Sequence, residues 1–205
     1  VFAAGWNATA SLVVLEVSSY QAADLHHVPD VAVLTSLAED HVSWHGGVDR
    51  YVADKLRLLV NEGGAAPVVV VAEAEQRARA AVAGLGIAAT VVPDPREVPD
   101  GIPVHRARNA ALAAAALAAA GGPVVAPGDV LVAAAASLPG RLDRCPASRP
   151  AAAGVWCIDD ALASNPAATA AGLGWARGFG VPTVVVLGGV DRSVDPTPLV
   201  EEAAR

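Results

Sequence analysis

The stretch "DVAVLTSLAEDHVSWHG", from Asp30 to Gly46, joins an apolar strand pattern to a polar segment directly after it. Val31 to Thr35 is apolar enough for a strand that is covered on both faces, as in parallel sheets. Asp40 and His41 follow just beyond the carboxyl end of that strand. Because ligands of open α/β sheets bind in crevices outside these ends, the stretch predicts a fold class and the place of a site.

The same alternation of apolar runs and helical patterns continues along the chain, which predicts an α/β fold with mainly parallel sheets. We predict strands at Val13–Val17, Val31–Thr35, Val68–Ala72, Ala89–Val92, Val155–Ile158 and Thr183–Leu187. We predict helices at Val48–Val60, Glu73–Ala83, Arg106–Ala120, Pro166–Phe179 and from Asp195 onward. A new α/β pattern begins after "PGRLDRCPASRPAAAG", and the second domain is predicted to begin near Leu138, so the two domains are residues 1–137 and 138–205.

Composition narrows the class of protein. The chain has 205 residues and a formal net charge of −7, which argues against a partner that is nucleic acid or an anionic membrane. No apolar run reaches the length of a membrane span, and no signal peptide begins the chain, so we predict a cytoplasmic protein without membrane insertion. Cys145 and Cys157 lack metal-type spacing; they are predicted to be reduced, core-filling thiols, with a disulfide left open.

A carboxylate interrupts the apolar run of "LEVSSYQ", from Leu15 to Gln21. A buried carboxylate is costly unless a cation compensates it, so Glu16 needs a partner. Glu16, His41 and nearby hydroxyls together suit a hard divalent ion such as Mg²⁺. The alternative is that Glu16 is a solvated strand end and His41 a hydrogen-bonded surface residue.

Lysine occurs once in the chain, at Lys55, whereas arginine occurs 13 times. A lysine that persists under such a bias is expected at a position where an arginine guanidinium cannot replace the amine, because the two groups differ in chemistry. Lys55 lies on a predicted amphipathic helix that should pack back against the crevice. The alternatives are that this lysine belongs to the wet face of the helix and that it survives by chance.

The combination of these motifs resembles the Mur ligase family of ATP-dependent amide ligases. "LEVSSYQ", "DVAVLTSLAEDHVSWHG" and "YVADKLRLL" resemble its central ATPase domain. "HRARNAALAAAAL" resembles the helix under the adenine, and "LPGRLD" resembles the domain junction. "IDDALASNPAAT" and "LGGVDRSVDPTPL" resemble C-terminal motifs. The resemblance implies a partial central domain in residues 1–137 and a partial Rossmann-like C-terminal domain in residues 138–205.

The resemblance also implies roles for individual residues. Metal ligands would be Glu16, His41 and Lys55, the last as a carbamylated lysine, and Lys55 and His41 would also be catalytic. Contacts to the two substrates would come from Ser18, Gln21, Ser164 and Arg192. Contacts to the nucleotide would come from Asn109, Arg141 and Asp160.

The reaction implied by the resemblance belongs to peptidoglycan precursor synthesis. ATP, with Mg²⁺, phosphorylates the alanine carboxylate of UDP-N-acetylmuramoyl-L-alanine. The amine of D-glutamate then attacks the acyl phosphate and forms an amide. Catalysis of this kind depends on positioning and on neutralising the phosphate charge.

Several features depart from the family pattern. Only 15 residues precede Glu16, the chain begins with Val, and no Gly-Lys-Ser/Thr phosphate loop occurs in it. Family residues are replaced by Ser43, Arg106, Gly140, Leu162 and Arg192. We therefore expect an incomplete and inactive portion of a ligase. The alternatives are a non-catalytic remnant that acts as a binding or assembly module, and another carboxylate–amine ligase such as a folylpolyglutamate synthase.

Overall fold

The computed structural model describes residues 12–136, 138–145, 156–189 and 194–204. Its helices are α1 (Ser19–Ala23), α2 (Val42–His45), α3 (Val48–Leu56), α4 (Gln76–Gly84), α5 (Val104–Ala119), α6 (Pro127–Ala135), α7 (Pro166–Arg177) and α8 (Thr197–Ala203). Its strands are β1 (Val31–Leu34), β2 (Val60–Asn61), β3 (Gly64–Ala65), β4 (Val68–Ala72), β5 (Ala89–Val92), β6 (Asp143–Arg144) and β7 (Ile158–Asp159). The fold is therefore of the mixed α/β class that the sequence predicts.

A parallel sheet of three strands, in the order β1–β4–β5, forms the centre of the structure. The central strand places Val69 beside Ala32 of β1 and beside Ala89 of β5. These three strands confirm the predictions at residues 31–35, 68–72 and 89–92, apart from Thr35 at the end of the first. Their pairing is parallel because helical connections return the chain to the same end of the sheet.

Helices cover both faces of β4, which explains its unbroken apolar sequence. Val69 and Val71 pack with Val82 of α4 on one face. Val70 packs with Leu112 of α5 on the other face. All five side chains are at most 1% exposed, so this strand is the centre of the core.

Arg108 of α5 binds the segments that follow two of the parallel strands. Its guanidinium donates to both carboxylate oxygens of Asp94, at 2.9 and 2.8 Å, just after β5. It also lies 3.6 Å from Glu75, just after β4. The hydrogen bonds from Arg108 hold the pKa of Asp94 below its ordinary value. This ion pair anchors α5 at the carboxyl edge of the sheet, where a site is predicted.

Two predicted strands, Val13–Val17 and Thr183–Leu187, do not form in the described residues. Val14 and Leu15 are exposed in the first segment. Val184 and Val186 are 92% and 93% exposed in the second. An apolar β-branched sequence favours extended backbone, but a strand also requires a hydrogen-bonded neighbour. None of the described strands pairs with either segment.

The described strands after residue 138 are antiparallel, not parallel. β6 pairs with β7 through Arg144 and Ile158. The prediction of a parallel strand at Val155–Ile158 is therefore wrong: Ile158 begins the antiparallel strand β7, and residues 156 and 157 are in no strand. Val155 lies outside the described residues. Cys145 is half-buried and Cys157 is exposed, so the prediction that both thiols fill the core is wrong. The Rossmann-like architecture and the boundary at residue 138 stay predictions.

Helix boundaries follow the prediction closely in α4, α5 and α7, but α3 ends early. It was expected to reach Val60, and it ends at Leu56 because residues 57–59 turn into the short β2–β3 hairpin. Helix α6, with Pro127 at its start, was not predicted although proline favours the first helical position. None of the described helices combines the length and the apolarity needed to cross a membrane.

Candidate active site

The amine of Lys55 lies beside the segment that follows β1. Its Nζ donates to the backbone carbonyl of Ser36 at 3.4 Å and to the Tyr51 hydroxyl at 3.3 Å. Burial lowers the pKa of the Lys55 ammonium group, and the negative charge of Asp40 opposes this shift. A lowered pKa raises the fraction of neutral amine, which is the nucleophilic form. Lys55 therefore has a partly dry environment near the carboxyl end of β1.

Asp40 and His41 lie in the same segment after β1. Asp40 is buried, and its Oδ1 accepts the backbone N–H of His41 at 2.9 Å. The imidazole Nε2 of His41 lies 3.7 Å from the other Asp40 oxygen. The backbone of His41 is left-handed, with φ of 50°. Non-glycine residues pay for this conformation and concentrate at functional sites, so the strain marks His41 as a candidate for function.

A third group, which the sequence analysis did not predict, is built around His45. Its side chain is fully buried, and Nδ1 lies 2.6 Å from Asp54 Oδ2 of α3. Its Nε2 lies 3.0 Å from the Ser19 hydroxyl at the start of α1. His45 thus joins α1, α2 and α3 through one ring. Its signal in the sequence was the concentration of aromatic residues near it in a chain that has only 4% of them.

Aromatic rings surround His45 and connect it to His41. The ring of Tyr20 is 5.7 Å from that of His45 and 4.8 Å from that of His41. Trp44 and Tyr51 contact His45 edge-on, with centroids at 4.5 and 5.3 Å. Contacts of this type add to apolar burial. The cluster therefore holds α1 against the segment that carries Asp40 and His41.

The remaining candidates of "LEVSSYQ" lie at the start of α1. Ser18 and Gln21 form a capping box: Ser18 Oγ accepts the N–H of Gln21 at 3.3 Å, and Gln21 Oε1 accepts the N–H of Ser18 at 2.9 Å. The S-x-x-Q pattern is a helix-start signal that could have been recognised. Glu16 is exposed two residues earlier, so it is not the buried carboxylate that the strand prediction assumed.

Candidate residues of the second part lie around Asp160. Its Oδ1 accepts the backbone N–H of Leu142 at 3.1 Å. Burial raises the pKa of Asp160, and the Leu142 hydrogen bond and the charge of Arg141 oppose that shift. A cavity of about 380 Å³ opens beside Asp160, with Thr169 of α7 among its lining residues. This arrangement can accept a polar ligand next to a half-buried carboxyl group.

The other candidate residues have no described contact with the group around Asp40 or with Asp160. Asn109 is exposed on α5, and Ser164 is exposed just before α7. Arg192 lies outside the described residues. The structure thus brings His41 and Lys55 to the carboxyl edge of the parallel sheet, around Asp40. It places Asp160 beside Leu142 and α7, where the charge of the exposed Arg141 acts on its carboxyl group.

Gly172 of α7 allows the helix to approach Asp160, and its substitution is a direct test of that packing. A Cβ at this position would lie 2.8 Å from Asp160 Oδ2 and 3.2 Å from a methyl carbon of Leu142. We expect Gly172→Ala to lower the free energy of unfolding by about 1–3 kcal/mol, as overpacking does. Chemical denaturation measures this loss.

Gly174, on the same helix, is the matched control. A Cβ there meets nothing within 4 Å. Gly174→Ala should therefore be neutral or stabilise the helix by about 0.5–1 kcal/mol. Equal effects of the two substitutions would contradict the close approach of α7 to Asp160.

The donor set at the sheet edge fits a hard cation only in part. Within the described residues, no three side chains of His, Cys, Asp or Glu are arranged to hold a metal ion. Asp40 and His41 provide a carboxylate and an imidazole, and Lys55 provides a partly dry amine. Addition of CO₂ to that amine would give a carbamate, which is a carboxylate-like oxygen donor. The fit therefore depends on the chemical state of Lys55.

Comparisons with known proteins match the first part of the chain to a protein family and most of the chain to named ligases. Residues 2–91 match the Mur ligase middle domain, a range that contains the Asp40, His41 and Lys55 group. The chain is 35% identical to a protein of Micromonospora sp. named UDP-N-acetylmuramoyl-L-alanine–L-glutamate ligase, over 95% of this chain and 47% of that protein. A Salinispora tropica protein with the same name is 33% identical over the same shares.

A relative from Rubrobacter xylanophilus carries a different name. That protein is called UDP-N-acetylmuramoylalanine–D-glutamate ligase and is 34% identical, over 91% of this chain and 45% of its own length. The chain spans about half the length of the curated relatives it matches. The middle-domain match and the similarity along almost the whole chain lead to one conclusion. The chain belongs to the Mur ligase family.

Proposed function

We propose that the chain is part of an ATP-dependent ligase of peptidoglycan precursor synthesis in the cytoplasm. The ligase would join glutamate to UDP-N-acetylmuramoyl-L-alanine through an acyl phosphate. One observation carries the proposal. The only lysine of the chain has a lowered pKa and lies beside Asp40 at the carboxyl edge of the sheet, with His41 next in sequence. An arginine could not supply the neutral amine that carbamylation requires.

The residues at the sheet edge would have complementary roles. Glu16, His41 and carbamylated Lys55 would hold Mg²⁺, which when bound neutralises charge on phosphate oxygens. Asp40 restrains the strained backbone of His41 through its 2.9 Å hydrogen bond. The His45 cluster fixes the distance between α1 and this segment. Positioning of this kind is the main contribution of a protein to phosphoryl transfer.

The other candidates would bind the substrates and the nucleotide. Asn109, Arg141 and Asp160 would contact ATP, and Asp160 lines a cavity that supports its part of this role. Ser164 and Arg192 would contact glutamate. Ser18 and Gln21 would contact the muramoyl substrate, and their side chains would then give up the hydrogen bonds of the capping box that they form with each other.

The configuration of the glutamate has two candidates. The sequence motifs imply D-glutamate, and the Rubrobacter relative is named for that enantiomer. The Micromonospora and Salinispora relatives are named for L-glutamate. We therefore propose glutamate as the amine substrate and leave its configuration to a direct competition.

The test is a ligation assay with the natural protein that contains this chain, including all sequence encoded with it. UDP-N-acetylmuramoyl-L-alanine, ATP and Mg²⁺ are supplied with isotopically distinguishable D- and L-glutamate, and product mass identifies the enantiomer used. We expect one enantiomer to be incorporated and aspartate to be rejected. Release of phosphate without an amide product, or incorporation of neither enantiomer, would contradict the proposal.

A non-catalytic binding or assembly module is the second candidate, because the 205 residues contain no Gly-Lys-Ser/Thr phosphate loop. Such loops use backbone amides and a lysine to hold the β- and γ-phosphates. The 205-residue chain alone is therefore expected to release no phosphate from ATP above background. Magnesium-dependent release that Glu16→Ala abolishes would show that this chain is catalytic by itself.

A further inference from the structure

The two cysteines of the chain lie directly opposite each other, Cys145 just after β6 and Cys157 just before β7. The pairs Asp143–Asp159 and Arg144–Ile158 set the register, and Cys145 and Cys157 form the next pair. The backbone N–H of Cys145 donates to the carbonyl of Cys157 at 3.0 Å. Hydrogen-bonded neighbours in antiparallel strands have Cα atoms about 5.5 Å apart, which is within the range that a disulfide spans.

The thiols themselves are already in contact. The Cys145 thiol donates to Sγ of Cys157 at 2.8 Å, and both residues are free cysteines. Cys157 is exposed and Cys145 is half-buried, so an oxidant in solution reaches Cys157 first. We propose that Cys145 and Cys157 are a modification site at which a small disulfide compound oxidises the chain to an intrachain disulfide.

The chemistry proceeds by two exchanges and consumes one disulfide compound. The Cys157 thiolate attacks that compound, forms a mixed disulfide and releases one small thiolate. The Cys145 thiolate then attacks Sγ of Cys157, forms the intrachain bond and releases the second small thiolate. Each protein thiol loses one proton, the protein loses two electrons, and the small disulfide is reduced to two thiols.

Charge beside the pair selects the oxidant. Asp143 and Asp159 lie two positions from the cysteines on their strands, and therefore on the same face of the ribbon. The hydrogen bond with Cys157, followed by burial and by the charges of Cys157 and both aspartates, raises the pKa of the Cys145 thiol. Negative charge attracts a cationic disulfide such as cystamine and repels the anionic glutathione disulfide. Cystamine is therefore the preferred probe.

The bond would hold the ribbon that carries Asp160. Asp160 follows Cys157 by three residues, and Leu142 precedes Cys145 by three. The Leu142 N–H donates to Asp160 at 3.1 Å, and both residues line the cavity of about 380 Å³ beside α7. Oxidation would therefore restrict opening of this wall of the cavity. The inference does not rest on the proposed ligase activity, because it concerns only thiol chemistry and local mobility.

The experiment treats the reduced 205-residue chain with cystamine and follows it by intact and peptide mass. Trypsin leaves both cysteines in the peptide 145–177, so an intrachain bond appears as the loss of two hydrogens from that peptide. A thiol reductant should restore them. Cys145→Ser and Cys157→Ser, tested separately, should each retain one half of cystamine instead. Stable double adducts, or dimers linked through the cysteines, in the unmodified chain would overturn the proposal.

Two further measurements test its consequences. At low ionic strength, cystamine should react at least about fivefold faster than glutathione disulfide, and Asp143→Asn with Asp159→Asn should reduce that ratio. Hydrogen exchange of the Leu142 amide should slow at least about tenfold on oxidation, and not in Cys145→Ser. If the ratio of the cystamine rate to the glutathione disulfide rate is the same in the unmodified chain and in the double aspartate variant, the charge selection is overturned. If hydrogen exchange of the Leu142 amide does not change on oxidation, the restriction of the cavity wall is overturned.

Discussion

One lysine carbamate resonance is expected when the chain is equilibrated with ¹³C-labelled bicarbonate, and Lys55→Arg is expected to remove it. The neutral Lys55 amine adds CO₂ and loses a proton, whereas guanidinium stays protonated. Burial favours the neutral amine, which lowers the pKa of Lys55. ¹³C NMR measures the carbamate directly. With a single lysine in 205 residues, the assignment needs no other variant.

The pH dependence of this signal follows from the direction of the pKa shift. Neutral amine increases as the pH rises, whereas bicarbonate is converted to carbonate at still higher pH, so carbamate passes through a maximum. Because the pKa of Lys55 lies below its ordinary value, its maximum should occur at a lower pH than that of a free lysine side chain. The carbamate of the α-amino group, the other amine of the chain, should persist in Lys55→Arg and serves as the internal control.

The same substitution in an active ligase should affect catalysis more than folding. We expect Lys55→Arg to reduce the ligation rate by at least about a hundredfold, the upper part of the range for residues that orient metal ligands. A small added carboxylic acid should restore part of the rate. Arg50→Lys, an exchange of cations at an exposed site of the same helix, should leave the rate unchanged. Full activity of Lys55→Arg would exclude the carbamate from the reaction.

The second large effect is expected for His45→Ala, which should lower the free energy of unfolding by about 3–5 kcal/mol. The substitution leaves the Asp54 carboxylate, whose side chain is 12% exposed, without its 2.6 Å partner and with the exposed Arg50 guanidinium 3.7 Å away. It also removes the hydrogen bond to Ser19 and the ring that Tyr51 contacts. Chemical denaturation monitored by tryptophan fluorescence measures the loss, because Trp44 adjoins the ring.

Three variants separate the hydrogen bonds from the packing. His27→Ala removes an exposed imidazole and should change stability by less than about 0.5 kcal/mol. His45→Phe keeps an aromatic ring and loses both hydrogen bonds, so it should recover only part of the loss. Asp54→Ala combined with His45→Ala should cost less than the sum of the two, because neither group is then left unpaired. Additive losses would show that the two side chains do not interact.

The parts of the fold that were predicted depend on local sequence. The run from Val68 to Ala72 is buried on both faces, so its apolar pattern alone identifies β4. Residues 13–17, apart from Glu16, and residues 183–187 also carry apolar patterns but have no paired neighbour among the described strands. Strand pairing is decided by residues distant in sequence, so a single apolar run cannot report it.

The candidate site was likewise predicted only in part. His41 and Lys55 were predicted to share one edge because one follows a strand and the other lies on the next long helix, and both lie near Asp40 in the structure. His45 was not predicted because its partners are 26 and 9 residues away, at Ser19 and Asp54. The aromatic residues near His45 in the sequence mark the region, but they do not identify the two hydrogen-bond partners through which it joins three helices.

The single lysine within α3 has a consequence for proteolysis. A lysyl endopeptidase meets one cleavable bond in the chain, between Lys55 and Leu56, and proteases require an unfolded substrate segment. Val52 and Leu56 of α3 pack against the main core, so cutting at this bond requires that α3 leave that core. When opening is rapid relative to cutting, the cleavage rate measures the free energy of opening this one helix. The 205-residue chain thus carries a built-in probe of local unfolding, without any label or mutation.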